Sequence, residues 1–442
     1  MKDKMKKYFI ITYGCQMNEH DSEKLAGMLE AIDYHKAEEV EEADIILINT
    51  CTIRENAELR VFGKVGELKR LKENNPDLII GVGGCMMQSE KAVRHLYEKH
   101  PQVDLIFGTH NIHHVPDLIK RIEKERSRIV EVWDEEEGLI PDLPSVRESD
   151  FKAWVSIIQG CNNFCTYCVV PYVRGRERSR PFKDIINEVE KLVAEGVKEI
   201  TLLGQNVNSY GKDFKENIDF ADLLQELDKI PALYRLRYMT SHPRDFSFKL
   251  IQVIKDTKAV CEHFHLPIQS GSNRILKKMN RGYSREKYLE LVNKIRQEVP
   301  EAAITTDIIV GFPGETEEDF QETIDLVKEV RFDSAFTFIY SPRTGTPASK
   351  MEEQIPEDIK KERLSRLMAL QNQISLEKNQ AELGKVVEVL IEGESKNNPE
   401  TLMGRDRRNK LVIIPKKDGL IGEIVNVRIN KVQSFTLYGE VV

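Results

Sequence analysis

Short, continuously apolar runs alternate with helical patterns over the first 130 residues, and few folds satisfy that alternation. Tyr8-Phe9-Ile10-Ile11-Thr12, Asp44-Ile45-Ile46-Leu47-Ile48-Asn49 and Leu78-Ile79-Ile80-Gly81-Val82 are apolar at successive positions. Such strands are covered on both faces, as in a parallel sheet flanked by helices. Asp21 to Ile32 and Ala57 to Leu71 supply helical patterns between them. The alternation returns after residue 151, with strand candidates Trp154–Ile158, Glu199–Leu203, Tyr234–Met239, His263–Ile268, Ile304–Val310 and Ala335–Tyr340. Helical segments such as Lys183–Glu195 and Arg285–Glu298 separate most of them. Six β/α units predict a partial barrel rather than a closed eightfold one.

The remaining segments divide the chain. Residues 133–150 are acidic, carry Pro141 and Pro144, and read as a linker. Pro356 opens a helix whose apolar stripe is expected to be Ile359, Leu367, Leu370 and Ile374, with Gly384 as its stop. From Lys385 the pattern changes to short strands, Val386–Ile391, Leu411–Ile414, Ile421–Ile429 and Leu437–Val442, which predicts a small OB-like β-barrel. The expected organisation is an α/β chain with an N-terminal parallel-sheet α/β domain (6–132), a linker (133–150), a partial (β/α)6 barrel with a trailing helix (151–376) and the β-barrel (377–442).

Composition narrows the class. Of 442 residues, 40% are hydrophobic and 31% charged, as in soluble globular proteins. No run approaches the roughly 20 apolar residues of a membrane span. The basic start, Met1 to Lys7, precedes only a short apolar run and no small-residue cleavage site, so a cytoplasmic protein without a membrane partner is expected. Seven cysteines are too sparse for a disulfide scaffold and read as metal ligands or catalytic groups. A net charge of −8 argues against nonspecific nucleic-acid binding, which leaves local basic patches to decide.

Six of the cysteines fall into two sets. Cys161, Cys165 and Cys168 form a C-x3-C-x2-C loop directly after the first barrel strand. Three thiolates hold three irons of a four-iron cluster and leave the fourth open, whereas electron-transfer ferredoxins close all four. Zinc is the alternative, but a structural zinc needs a fourth ligand, and no Cys or His lies near in sequence. Cys15, Cys51 and Cys85 each follow one N-terminal strand, about 35 residues apart, the length of one βα unit. Parallel strands bring their carboxyl ends to one edge, where open α/β sheets bind ligands. A shared metal site there is expected, against the alternative of three separately buried thiols.

The cysteine loop at the head of a six-unit barrel resembles the radical S-adenosylmethionine superfamily. Two three-cysteine sites in this order are similar to the methylthiotransferases of that superfamily, over the whole chain. The resemblance is carried by Thr166-Tyr167-Cys168-Val169-Val170-Pro171-Tyr172-Val173-Arg174-Gly175, Leu203-Gly204-Gln205-Asn206-Val207-Asn208, Thr240-Ser241-His242-Pro243 and Gly311-Phe312-Pro313-Gly314-Glu315-Thr316. It implies two [4Fe-4S] clusters and S-adenosylmethionine, and makes the C-terminal barrel a TRAM domain. The implied reaction is insertion of a methylthio group at C2 of an N6-isopentenyl-adenine beside the anticodon in a tRNA stem-loop. Sulfur would come from the Cys15/Cys51/Cys85 side, and electrons from a flavodoxin- or ferredoxin-type reductant. The protein is expected to act as a monomer. Threonylcarbamoyl-adenosine in tRNA and an aspartate of a ribosomal protein are the alternative targets; an RNA-binding iron–sulfur carrier without radical chemistry is an alternative of another class.

Strand-end loops supply the candidate cofactor contacts Gln205, Asn206, Gln269 and Asp307. Arg174, Arg176, Arg178 and Arg180 follow the cysteine loop; Arg405, Arg407, Arg408 and Lys410 cluster in the C-terminal barrel. These are the candidate RNA contacts, since phosphate binding concentrates Lys and Arg. Where the family tends to carry Gly-Arg-Thr, this chain has Gly404-Arg405-Asp406. Cys261, His263 and His265 alternate on one strand face and read as core or pocket lining, while His110, His113 and His114 read as exposed.

Overall fold

The computed structural model describes residues 5–52, 57–134 and 143–442. Residues 135–142 of the acidic linker stretch, including Pro141, lie outside the described residues. The chain forms two compact units. One takes the chain up to Ser149 with Trp154–Asn162 and Val169–Arg180; the other takes Asp150–Ala153, Asn163–Cys168 and Pro181–Val442.

The first unit is built on a parallel sheet of β1 (Lys6–Thr12), β2 (Tyr34–Lys36), β3 (Ile45–Thr50), β4 (Ile79–Gly84), β5 (Leu105–Phe107) and β6 (Ile129–Glu131), in the order β2-β1-β3-β4-β5-β6. Every residue of β3 and β4 is buried, as their continuous apolar sequence requires. Ile45 and Leu47 pack with Leu25 and Leu29 on one face; Ile46 and Ile48 pack with Val61 and Val65 on the other. The three strands expected from apolar runs are β1, β3 and β4. The other three have three residues each, too short for a periodic signal.

Next come β7 (Lys152–Ser156), the antiparallel pair β8 (Ile158–Gln159) and β9 (Arg178–Ser179), then β10 (Glu199–Leu203), β11 (Arg235–Tyr238), β12 (His263–His265), β13 (Ala303–Val310) and β14 (Ser334–Ile339). The six principal strands match the six expected and form two three-stranded sheets, β11-β10-β7 and β12-β13-β14. Leu236 and Cys261 stitch β11 to the approach of β12 through backbone bonds, Leu236 N–H to Ala259 and Cys261 N–H to Leu236.

The helix Glu357–Gln380 departs from the expected apolar stripe. Leu367 and Ile374 are buried, but Ile359 is exposed and the buried face also carries Lys360, Arg363, Gln371, Ser375 and Asn379. Each finds a partner: Lys360 Nζ donates to the Tyr340 carbonyl, Gln371 to the Phe332 carbonyl, and Arg363 to Glu315. Buried polar groups are tolerated when their hydrogen bonds are made.

The C-terminal strands β15 (Val386–Ser395), β16 (Asn398–Asp406), β17 (Leu411–Pro415), β18 (Ile424–Val432) and β19 (Thr436–Val441) close into a five-stranded barrel, β15-β16-β17-β19-β18. Val389, Ile391, Val412, Ile414, Val427 and Leu437 fill it. β16 was not expected, because Asn-Pro-Glu-Thr-Leu-Met-Gly-Arg-Asp has almost no apolar alternation.

A buried ion network joins β10 and β11 to the C-terminal barrel. Glu199 accepts from Arg237 Nε at 2.8 Å and lies 3.8 Å from Arg235, whose side chain is 0% exposed. Arg235 donates to Glu388 and to the Arg405 carbonyl, and Arg237 to the carbonyls of Asp406 and Arg407. Removing one partner from such a network strands buried charge at a cost of about 3–5 kcal/mol. Glu199→Ala is therefore expected to unfold at clearly lower urea than the parent, measured by circular dichroism, whereas the exposed Glu226→Ala should not move the midpoint.

Among the described residues, no helix is long and apolar enough to cross a membrane.

Candidate iron–sulfur and cofactor sites

Cys51 and Cys85 stand directly after β3 and β4, and Cys15 three residues after β1; the three strands are neighbours in the sheet. Cys15 precedes the helix Gln16–Glu30, and Cys85 begins the tight turn Cys85–Gln88. Gly84 has φ +97°, and a Cβ there would lie 2.5 Å from the Thr50 carbonyl, so only glycine lets the β4 end approach β3. Asn18 and Asn49 lace the edge together. The Asn18 amide donates to the Thr50 carbonyl at 2.8 Å, and Asn49 returns a bond to the Asn18 carbonyl at 2.8 Å.

The thiols have unlike surroundings. A hydrogen bond with Cys51, helped by the Arg174 charge against the cost of burial, brings the Cys15 thiol down to about 6. Burial pushes the Cys85 thiol up. Among the described residues, no Cys, His, Asp and Glu group of three converges as the ligands of a single metal ion do. A four-iron cluster presents separate iron corners to separate thiolates, so its ligands need not converge on one point.

The second cysteine loop is pinned locally. Gly160 has φ +74°, and a Cβ would lie 2.0 Å from the Arg176 carbonyl. Cys165 and Cys168 share a turn, with Cys168 N–H donating to the Cys165 carbonyl at 2.9 Å. Thr166 N–H donates to the Met279 carbonyl and its hydroxyl to that of Lys278. Arg281 is buried and donates to Cys165 Sγ at 3.4 Å and to the Pro267 carbonyl at 2.6 Å.

Residues at the strand ends of the second unit retain unused polar atoms. Gln205 Oε1, Asn206 Oδ1, Gln269 Oε1, Ser241 Oγ and His242 Nε2 are buried without a hydrogen-bond partner. Buried polar atoms are normally paired, so this group fits a polar ligand. Asn206 is oriented by its amide, which donates to Asp245 at 2.8 Å. Gln269 holds φ +71° and donates its N–H to the Asp307 carbonyl. Asp307 itself lies 3.5 Å from His265 Nε2. Burial, reinforced by the Arg281 charge, lowers His242 to about 2, which keeps its ring neutral.

Several basic candidates sit elsewhere than expected. Arg174 is not on a surface: it is 9% exposed, inside the first unit, against Cys85 and Asp21. Arg180 is also buried and donates to the Ser156 carbonyl; Arg176 is exposed and Arg178 half-buried. Arg405, Arg407, Arg408 and Lys410 are half-buried braces rather than an open phosphate face. Arg407 forks onto Glu262 and Arg408 onto Glu382, Lys410 reaches Asn379, and Arg405 reaches the Asn409 carbonyl. Asp406, where the family tends to carry Thr, is buried and accepts from the Lys410 N–H at 2.7 Å, which closes this turn.

The histidine readings divide. His263 and His265 both bond the Thr305 hydroxyl, at 2.9 and 3.0 Å, and Cys261 is buried, consistent with core and pocket lining. His110 is buried rather than exposed, and His113 and His114 pack edge-on against Trp133. Phe336 and Phe338 were missed. They are 58% and 51% exposed and stand on one face of β14, in register with Asp307 and Ile309. The signal was present, since aromatic residues at i and i+2 of a strand share a face.

The radical SAM superfamily profile matches residues 155–327, the TRAM domain profile residues 380–442, and that of uncharacterized protein family UPF0004 residues 7–108. The chain is thus a radical S-adenosylmethionine enzyme with a C-terminal TRAM domain. The tRNA-2-methylthio-N(6)-dimethylallyladenosine synthase of Desulforamulus reducens is 59% identical, covering 99% of this chain and 96% of its own length; that of Alkaliphilus oremlandii is 57% identical, covering 100% and 94%. The chain belongs to this synthase family. Among solved structures, the radical S-adenosylmethionine methyltransferase TsrM from Kitasatospora setae, with cobalamin and a [4Fe-4S] cluster bound, superposes with a TM-score of 0.57 at 13% identity, covering 78% of this chain and 74% of its own. The cobalamin-dependent radical enzyme OxsB gives 0.52 at 12% identity, covering 92% and 64%. At these identities the likeness is one of fold.

Proposed function

We propose that this enzyme replaces the C2 hydrogen of N6-dimethylallyladenosine in tRNA, beside the anticodon, with a methylthio group. The reading is carried by full-length identity of 54–59% to synthases named for that product. Cys161, Cys165 and Cys168 would hold one [4Fe-4S] cluster and leave its fourth iron to S-adenosylmethionine; Cys15, Cys51 and Cys85 would hold a second. When bound, these groups supply the methyl group, the sulfur and the one-electron chemistry needed at an unactivated C–H bond.

The chain's own residues bind, orient and exclude. Gln205 Oε1, Asn206 Oδ1 and Gln269 Oε1 are acceptors for the amine and hydroxyls of the cofactor, and their lack of protein partners supports that role. Asp307 offers a carboxylate on the same side of β13 as His265 and Phe336. Phe336 and Phe338 provide flat apolar surface for a splayed adenine and its isoprenoid arm, as stacking platforms do in single-strand recognition. A flavodoxin- or ferredoxin-type donor would feed in electrons, and the protein would act as a monomer.

Anaerobic reconstitution with iron and sulfide quantitation tests the cofactor content; about eight irons per chain are expected for two cubanes. Incubation with isopentenylated tRNA, threonylcarbamoylated tRNA and ribosomal protein then tests the substrate, and product from the first alone is expected. Phe336→Ala should weaken binding of an isopentenylated anticodon stem-loop by about 1–3 kcal/mol, while binding of an unmodified stem-loop changes less; equal losses for both RNAs would remove this face from base recognition.

A further inference from the structure

Arg174 is buried, among the most deeply placed charges of the first unit. Its Nε–H donates to Cys85 Sγ at 3.2 Å. Its Nη2 donates to Asp21 Oδ2 at 2.7 Å and to Asn18 Oδ1 at 3.3 Å. Asn18 in turn is fixed to Thr50 and Asn49, the residues that lead into Cys51. The guanidinium is therefore held by Asp21 and Asn18 with one N–H aimed at a ligand sulfur.

We propose that Arg174 is a positioning residue that tunes the metal site of Cys15, Cys51 and Cys85, raising the reduction potential of an iron–sulfur cluster held there. Reduction adds negative charge to a cluster. An N–H···S bond from a cation stabilises the reduced form more than the oxidised one, and such bonds are among the determinants of cluster potential. Asp21 orients the fork and offsets part of its charge, but it receives its bond on Nη2, away from the Nε that meets Cys85. Arginine suits this geometry because its fork serves several acceptors in one plane; lysine is a point charge that cannot serve all three together. The inference rests on the reading of these three cysteines as cluster ligands.

The test uses the full chain with Cys161, Cys165 and Cys168 all changed to Ala, so that one cluster remains. After anoxic reconstitution, iron and sulfide are counted and the midpoint potential is read by redox titration with electron paramagnetic resonance. In that background Arg174→Gln is expected to keep its iron and to shift the midpoint to more negative potential. The expected size is at least tenfold in the reduced-to-oxidised ratio at fixed ambient potential, about 59 mV for one electron. Arg174→Lys should fall between the two. Retained iron with an unmoved midpoint would leave Arg174 a brace only and overturn the proposal. If Arg174→Gln cannot hold iron, Arg174→Lys decides: a lowered midpoint upholds the proposal, and a parental one overturns it. A parent chain that takes up no cluster would remove the reading of Cys15, Cys51 and Cys85 itself, and with it this role for Arg174.

Discussion

Cys165→Ala is expected to release no 5′-deoxyadenosine from S-adenosylmethionine above background, while about four irons per chain remain. Cys165 is buried in a loop whose turn closes on Cys168 and whose thiol receives an N–H from Arg281. Without it only two protein thiolates remain in that loop, too few to hold a cubane with one iron reserved for a small molecule. The loss is chemical rather than structural: Thr166 still ties the loop to Met279 and Lys278, so thermal stability of the apo chain should change little. Liquid chromatography of the nucleoside and iron quantitation on one sample measure both sides of this expectation. Deoxyadenosine formed at the parental rate would exclude Cys165 as a ligand.

Cys51→Ala is expected to give the opposite pattern, with 5′-deoxyadenosine still released but no methylthiolated tRNA formed. Cys51 follows β3, the central of the three cysteine-bearing strands, and its thiol is the principal hydrogen-bond partner of Cys15. Alanine would remove one thiolate and the partner that favours ionisation of another. Asn18 and Asn49 still lace the strand ends, so the fold around the gap should persist. Mass spectrometry of digested tRNA reads the product. Methylthiolated nucleoside made over several turnovers by this variant would exclude the sulfur-supplying role of the site.

The cysteine placement was legible because it follows from chain arithmetic. A residue that follows the end of a parallel strand has one sheet edge to go to, and β1, β3 and β4 are neighbours. The buried strands were legible because their composition is unambiguous. Less legible were positions whose environment depends on distant partners. Lys360 and Arg363 look like an outward face of their helix, and they are buried only because Tyr340 and Glu315 accept from them. Arg407 and Arg408 read as a basic patch until Glu262 and Glu382, distant in sequence, neutralise them. β16 lacks apolar alternation because two of its three buried positions are Gly404, where a Cβ would meet the Leu390 carbonyl, and Asp406, which accepts from the Lys410 N–H.

Arg174 lies only six residues beyond Cys168, yet it belongs to the unit built on Cys15, Cys51 and Cys85. Recombination at the boundary that profiles draw near residue 108 would separate that unit from its own guanidinium. A transplanted N-terminal half would need Val169–Arg180 to travel with it.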